Sequence, residues 1–128
     1  YGQAVVAIKA ERFKRAAALL RDVVGRNPDN IDALSNLGYA NSRLGRYDQA
    51  RQRYARALAL EPGHLGANEY LGELYLRMGN LTGATGQLAA LGNICGITCA
   101  EYRDLAAAIA GYKQTGRFQD HNKGKNEK

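Results

Sequence analysis

The two cysteines, Cys95 and Cys99, carry the most reactive chemistry in this sequence, and three residues separate them. This spacing differs from the C-x-x-C of thiol redox enzymes. Gly96 lies between them and permits a tight bend, so the two Cα atoms can come within the roughly 7 Å that a disulfide requires. We expect a structural disulfide, with free thiols in the core and a metal or redox role as the open alternatives.

Other catalytic or metal-binding combinations find little support. A structural zinc site needs four ligands, and the sequence adds only His64 and His121 to its two cysteines as nitrogen or sulfur ligands. It contains no glycine-rich phosphate loop and no nucleophile with a matching histidine. We therefore expect no catalytic residues, metal, cofactor or small-molecule substrate.

A second pair with chemical potential is Glu69 and Glu73, which are four residues apart. Residues with this spacing lie on the same face of a helix, so the two carboxylates could work as a pair. Two solvated surface charges are the open alternative.

The sequence that contains these residues has a pattern that repeats every 34 residues. Recurring at this distance are Pro28 and Pro62; Leu37-Gly38 and Leu71-Gly72; and Ala16, Ala50 and Ala84. The triplet Gly-Arg-Tyr at 45–47 corresponds to Glu-Arg-Phe at 11–13 and Gly-Asn-Leu at 79–81. A period of this length, with small and aromatic residues at fixed positions, resembles the tetratricopeptide repeat (TPR).

The resemblance implies an all-α fold, a right-handed α-solenoid of antiparallel helix pairs in one domain, residues 1–118. Three repeats would cover about 1–30, 31–64 and 65–97, followed by a capping helix at about 99–114. We expect helices at 1–10, 13–26, 31–44, 47–60, 65–78 and 81–91, with Thr98 and Glu101 forming a capping box before the last helix. Residues 119–128 lack apolar side chains and should form a disordered basic tail.

Glycine positions explain much of this pattern. Gly38 and Gly72 would lie where two helices cross closely, and Gly45 and Gly79 would adopt a left-handed conformation after the first helix of a repeat. In the last repeat helix, predicted at 81–91, Gly83 and Gly86 each cost about 1 kcal/mol relative to alanine. We therefore expect that helix to be the least stable one.

The resemblance also implies a concave groove that binds a peptide. Its lining would be Asp32, Asn36, Tyr39, Arg43, Glu69, Tyr70, Glu73 and Arg77. The TPR proteins that bind a C-terminal carboxylate have two asparagines and several basic residues in this groove, and only Asn36 matches that pattern here. The acidic pair beside two tyrosines favours a ligand with some positive charge.

We thus expect a non-enzymatic module that binds a protein or peptide segment. The net charge is +6, which leaves open a basic-surface adaptor to nucleic acid or anionic membrane, although we expect neither ligand. A scaffold that self-assembles through exposed end faces and a thiol redox protein are further alternatives.

The segment from Cys95 to Lys113 is similar to the C-terminal part of small, often exported bacterial TPR proteins. This similarity favours the bacterial periplasm, where a disulfide persists. The cytoplasm is the alternative.

Overall fold

The computed structural model describes residues 1–119, and over these residues its regular elements are all helices. They are α1 (Gly2–Lys9), α2 (Phe13–Arg26), α3 (Ile31–Arg43), α4 (Tyr47–Leu60), α5 (Leu65–Arg77), α6 (Leu81–Cys95) and α7 (Ala100–Thr115). The first six helices form three antiparallel pairs that stack into a right-handed solenoid, and α7 packs against α5 and α6. The predicted all-α solenoid is therefore confirmed. Most of the predicted tail, residues 120–128, lies outside the described residues.

Three helices begin with a side-chain cap. Asn30, His64 and Asn80 each accept a hydrogen bond from the backbone N–H three residues along, at 3.0, 3.0 and 2.9 Å. Such caps satisfy donors that a helix leaves unpaired at its N-terminus. His64, which the sequence marks only as a loop residue, is thus the cap that starts α5.

The turn that follows a first helix recurs four times. Glu11, Gly45, Gly79 and Gly116 all have positive φ, between 58° and 79°, which confirms the left-handed conformation predicted for Gly45 and Gly79. The fourth turn was missed, although Gly-Arg-Phe at 116–118 copies Gly-Arg-Tyr at 45–47. In structural terms, α7 is the first helix of a fourth repeat.

The boundary between α6 and α7 differs from expectation in two respects. Helix α6 continues to Cys95, four residues past the predicted end, because Leu91 and Cys95 both pack into the apolar cluster shared with α7. Helix α7 begins after Cys99, whose side chain makes no capping hydrogen bond. The predicted capping box at Thr98 is therefore wrong, because Thr98 precedes the N-cap position.

The close helix crossings occur where the glycines predict them. A Cβ atom on Gly38 would lie 2.6 Å from the Tyr54 ring, and one on Gly72 would lie 2.5 Å from Leu105. Tyr54 and Leu105 are both fully buried. Larger side chains at either glycine would therefore displace a core residue.

Interior glycines of α6 have two different roles. A Cβ atom on Gly83 would lie 2.8 Å from the Tyr75 ring of α5, whereas one on Gly86 would meet nothing within 4 Å. Gly83 thus permits close packing, whereas Gly86 is a weakness without a packing role. Within residues 1–119, no helix combines the length and apolar character needed to cross a bilayer.

Candidate functional site

Four aromatic rings form a row across the first three repeats. The ring centroids of Phe13 and Tyr39 are 5.9 Å apart, those of Tyr39 and Tyr70 are 4.9 Å apart, and those of Tyr70 and Tyr54 are 6.3 Å apart. Tyr39 and Tyr70, on α3 and α5, are half-buried, whereas Tyr54 is fully buried. Burial raises the pKa of Tyr70 to about 12, so its hydroxyl stays neutral and can donate a hydrogen bond.

Arg43 joins this row at the end of α3. Its guanidinium carbon lies 4.6 Å from the Phe13 ring centroid, and its Nη1 donates to the Tyr39 hydroxyl at 3.0 Å. Its Nη2 forms an ion pair with Glu11 at 3.3 Å. Phe13 and Glu11 belong to this site and were not among the predicted site residues, although the triplet at 11–13 belongs to the recurring pattern.

The two glutamates of α5 are almost completely buried. Glu69 is 8% exposed and Glu73 is 5% exposed. Burial, the charge of Glu73 and a hydrogen bond between the two carboxyl groups together raise the pKa of Glu69 from 4.5 to about 9. At neutral pH the pair therefore shares a proton and carries less charge than the sequence indicates.

This burial corrects the expectation of an accessible acidic pair for a basic ligand. Helix α7 packs against α5, and its residues Glu101 and Asp104 lie close enough to raise the pKa of Glu69 further. The sequence did not indicate that the last helix would crowd these side chains.

Two predicted groove residues bind other parts of the chain. Asp32 accepts a hydrogen bond from Nε2 of His64 at 3.1 Å, which links α3 to the cap of α5. Asn36 donates to the Tyr1 hydroxyl at 2.6 Å. These two hydrogen bonds therefore connect adjacent repeats.

Arg77, the last residue of α5, lies beside the turn that follows α7. Its guanidinium carbon is 4.5 Å from the ring centroid of Phe118. A cleft of about 230 Å³ opens next to this contact. The residues that shape it include Tyr47, Leu76, Tyr112 and Arg117.

Cys95 and Cys99 form a disulfide in the structure, with their Cα atoms 5.9 Å apart. It connects the last residue of α6 to the N-cap of α7. No group of three or more histidine, cysteine or acidic side chains within residues 1–119 could hold a metal ion.

Two further surfaces bear on the alternative functions, which are self-association and binding of nucleic acid or anionic membrane. An apolar depression of about 450 Å³ lies at the N-terminal end, between α1 and α2, where Val6 is 65% exposed. On the outer surface of α4, Arg51 and Arg56 pair with Asp48 and Asp29, which reduces the basic character there.

A tetratricopeptide repeat model matches residues 7–57 and 42–109. The chain belongs to the TPR family. The second match extends into α7, in agreement with the assignment of that helix to a fourth repeat.

Two similar proteins put this family in context. Coatomer subunit epsilon of Dictyostelium discoideum is 38% identical over 64 residues, which are 49% of this chain and 21% of that protein. The chain thus spans about a fifth of the relative's length. A solved structure of PcrH in complex with the chaperone binding region of PopD aligns with a TM-score of 0.74 and 18% identity, over 89% of this chain and 85% of that one. At this identity the likeness shows the fold alone.

Proposed function

We propose that this protein binds a segment of a partner protein along the concave face, on the surface formed by Tyr39 and Tyr70. The close contact of these half-buried rings, whose centroids are 4.9 Å apart and whose planes are inclined by 32°, is the observation that carries the proposal. Two tyrosine rings in contact offer a rigid apolar surface and polar hydroxyls at a small cost in conformational entropy. The protein would act by binding and not by catalysis.

The partner segment should present apolar or aromatic side chains to the tyrosines. A strongly basic ligand fits less well than the sequence implied, because Glu69 and Glu73 are buried and share a proton. The complex of PcrH with a region of PopD provides a precedent for segment binding by this fold, and it supports the proposal only as an analogy.

The test uses a peptide selected from a random display library on the immobilised full chain. We expect Tyr39→Ala and Tyr70→Ala to weaken its binding at least about tenfold, since truncating an aromatic side chain at the centre of an interface costs about 2 kcal/mol or more. Tyr75→Ala is the matched control, because Tyr75 is half-buried on the same helix as Tyr70 but packs against Gly83. A larger loss in Tyr75→Ala than in Tyr39→Ala would contradict the proposal.

Self-association is a second candidate, supported by the exposed Val6 in the N-terminal depression. In the second and third repeats, the equivalent residues Ala40 and Leu74 are completely buried. Sedimentation over a range of concentrations should then show a dimer that Val6→Lys abolishes. A monomer at all concentrations would exclude this candidate.

We further propose that the protein works in an oxidising compartment, with the periplasm as the specific candidate. The disulfide between Cys95 and Cys99 supports this proposal, since such bonds persist where thiols are not kept reduced. Mass spectrometry of non-reduced protein from its native source tests it. Two free thiols in that sample would contradict it.

A further inference from the structure

The first repeat leaves an apolar surface of α1 uncovered. Val6 is 65% exposed, and together with Ala7 it lines the depression of about 450 Å³ between α1 and α2. In the two following repeats the equivalent residues, Ala40 and Leu74, are completely buried. The same position of the repeat therefore belongs to the core wherever another repeat precedes it.

A helix covers each of the two equivalent residues. Ala40 lies in one apolar cluster with Leu20 of α2, and Leu74 lies in another with Tyr54 of α4. Helix α2 packs on α3, and helix α4 packs on α5. The repeat geometry therefore makes a helix, with its apolar face turned towards α1, the best fit for the surface at Val6.

The charges around the depression define the polar side of that helix. Arg12 and Arg15 line the depression, and none of its lining residues is acidic. Both arginines are exposed, one at the N-cap of α2 and the other in its first turn. Within the part of the chain that the structure describes, neither of them forms an ion pair. Their guanidinium groups are therefore available to carboxylates of a ligand.

The first repeat as a whole is basic as well. Residues 1–26 contain six lysines and arginines and two acidic residues. Both acidic residues are already paired, Glu11 with Arg43 at 3.3 Å and Asp22 with Arg26 at 3.3 Å. This end of the solenoid therefore attracts negative charge and repels a second basic surface.

We propose that the surface formed by Val6, Ala7, Arg12 and Arg15 binds an amphipathic helix of a partner protein, with aspartate or glutamate on the polar side of that helix. Its apolar face would cover Val6, and its carboxylates would meet the two arginines. The site lies on α1 and α2, so it is separate from the tyrosine surface on α3 and α5 and goes beyond the proposed function.

Other occupants fit this surface less well. In a symmetric dimer formed through it, the arginines of one copy would approach those of the other, and like charges repel. An anionic membrane would satisfy the charges, but a flat bilayer fills a depression between two helices less completely than a helix does.

The test compares two synthetic peptides by NMR titration of the full chain. One has the sequence of α4, residues 47–60, and the other has the same sequence with Arg51→Glu, Arg53→Glu and Arg56→Glu. Both keep the apolar residues with which α4 packs on α5. We expect the acidic peptide to bind at least about tenfold more tightly at low ionic strength, because each substitution replaces a repelled charge with an attracted one.

The amide signals around Val6 and Ala7 should shift when the acidic peptide is added. Equal binding of the two peptides would overturn the proposal, and so would shifts from the acidic peptide that are confined to other surfaces.

Two double variants that remove the same charge separate the depression from the basic end as a whole. Arg12→Gln, Arg15→Gln should lose most of the preference for the acidic peptide, because both residues line the depression. Lys14→Gln, Arg21→Gln should keep it, because both residues lie on α2 but outside the depression. All four side chains are exposed, so both variants should fold. Equal losses in the two variants would contradict the site.

Two further measurements test the other occupants. In sedimentation, a dimer that Val6→Lys abolishes would assign the surface to a second copy of the chain. Binding to vesicles of phosphatidylserine and phosphatidylcholine that Arg12→Gln, Arg15→Gln abolishes would assign it to a membrane. Either result would overturn the proposal.

Discussion

In the second repeat, Tyr54 of α4 covers Gly38 of α3, whereas in the third repeat Leu105 of α7 covers the equivalent glycine, Gly72. The residue that corresponds to Tyr54 by the period, Leu88, is only half-buried. The second repeat thus completes its helix crossing with its own second helix. The third repeat depends on a helix from outside the pair.

The difference extends to the polar residues of the two repeats. Ser35 and Tyr39 of α3 correspond to Glu69 and Glu73 of α5, and both glutamates are buried where α7 packs on α5. Helix α7 in turn is connected to α6 through the disulfide. Repeats with the same sequence pattern are therefore stabilised by different contacts. This is possible because the core is buried by the stacking of repeats and not within a single repeat.

The largest expected effect comes from removing the side chain that completes the third repeat. Leu105→Ala should lower the free energy of unfolding by about 2–5 kcal/mol, because Leu105 is fully buried and its loss leaves a cavity. Hydrogen exchange should show α5 and α6 opening first, with α3 and α4 still protected. Equal loss of protection in the second repeat would show that the two repeats do not differ in this way.

Reduction of the disulfide should have the next largest effect. Opening the short loop between Cys95 and Cys99 should cost about 2 kcal/mol by loop-closure entropy and lower the melting temperature by several degrees. The double variant Cys95→Ser, Cys99→Ser should melt like the reduced protein, and peptide binding at Tyr39 should survive in both. An unchanged melting temperature would show that the disulfide does not stabilise the third repeat.

The shared proton of Glu69 predicts a specific dependence on pH. The folded chain keeps this proton up to about pH 9, whereas the unfolded chain releases it near pH 4.5. Stability should therefore fall between these values as the pH rises, by at most about 1.4 kcal/mol per pH unit. In Glu69→Gln this decline should disappear. If the stability of that variant falls with the same slope, a group other than Glu69 releases the proton.

The smallest effect separates Gly83 from Gly86 in α6. Gly86→Ala should raise stability by about 1 kcal/mol, because its Cβ meets no neighbour and alanine favours the helix. Gly83→Ala should bring no such gain, because its Cβ would lie 2.8 Å from the Tyr75 ring. Hydrogen exchange should also show α6 opening before α4, which has no interior glycine. Equal gains from both substitutions would contradict the packing role of Gly83.

The sequence predicts this fold well because the period fixes many positions at once. Glycine and proline at a spacing of 34 residues mark helix crossings and helix ends, and these depend on local geometry. The burial of Glu69 was not predictable in the same way, because it depends on where α7 packs in three dimensions. The cap at His64 was missed because histidine is not among the common capping residues.

The candidate site was only partly predictable for a related reason. The resemblance to TPR proteins implies that Tyr39, Tyr70 and Arg43 lie on one face, and the structure brings their side chains together. Phe13 and Glu11 were not predicted, because the resemblance implies a groove lined by the first helix of each repeat. Phe13 begins the second helix, α2, and Glu11 lies in the turn before it. The cleft at Arg77 requires Phe118, which follows a turn that the three-repeat interpretation did not include.

The most direct test of the concave binding surface is an NMR map of the amide shifts that a selected peptide causes in the full chain. We expect the shifts to concentrate around Asn36, Tyr39 and Tyr70 on α3 and α5. Shifts confined to the outer surface of α4 around Arg53, or to the N-terminal end around Val6, would contradict the concave face as the binding surface.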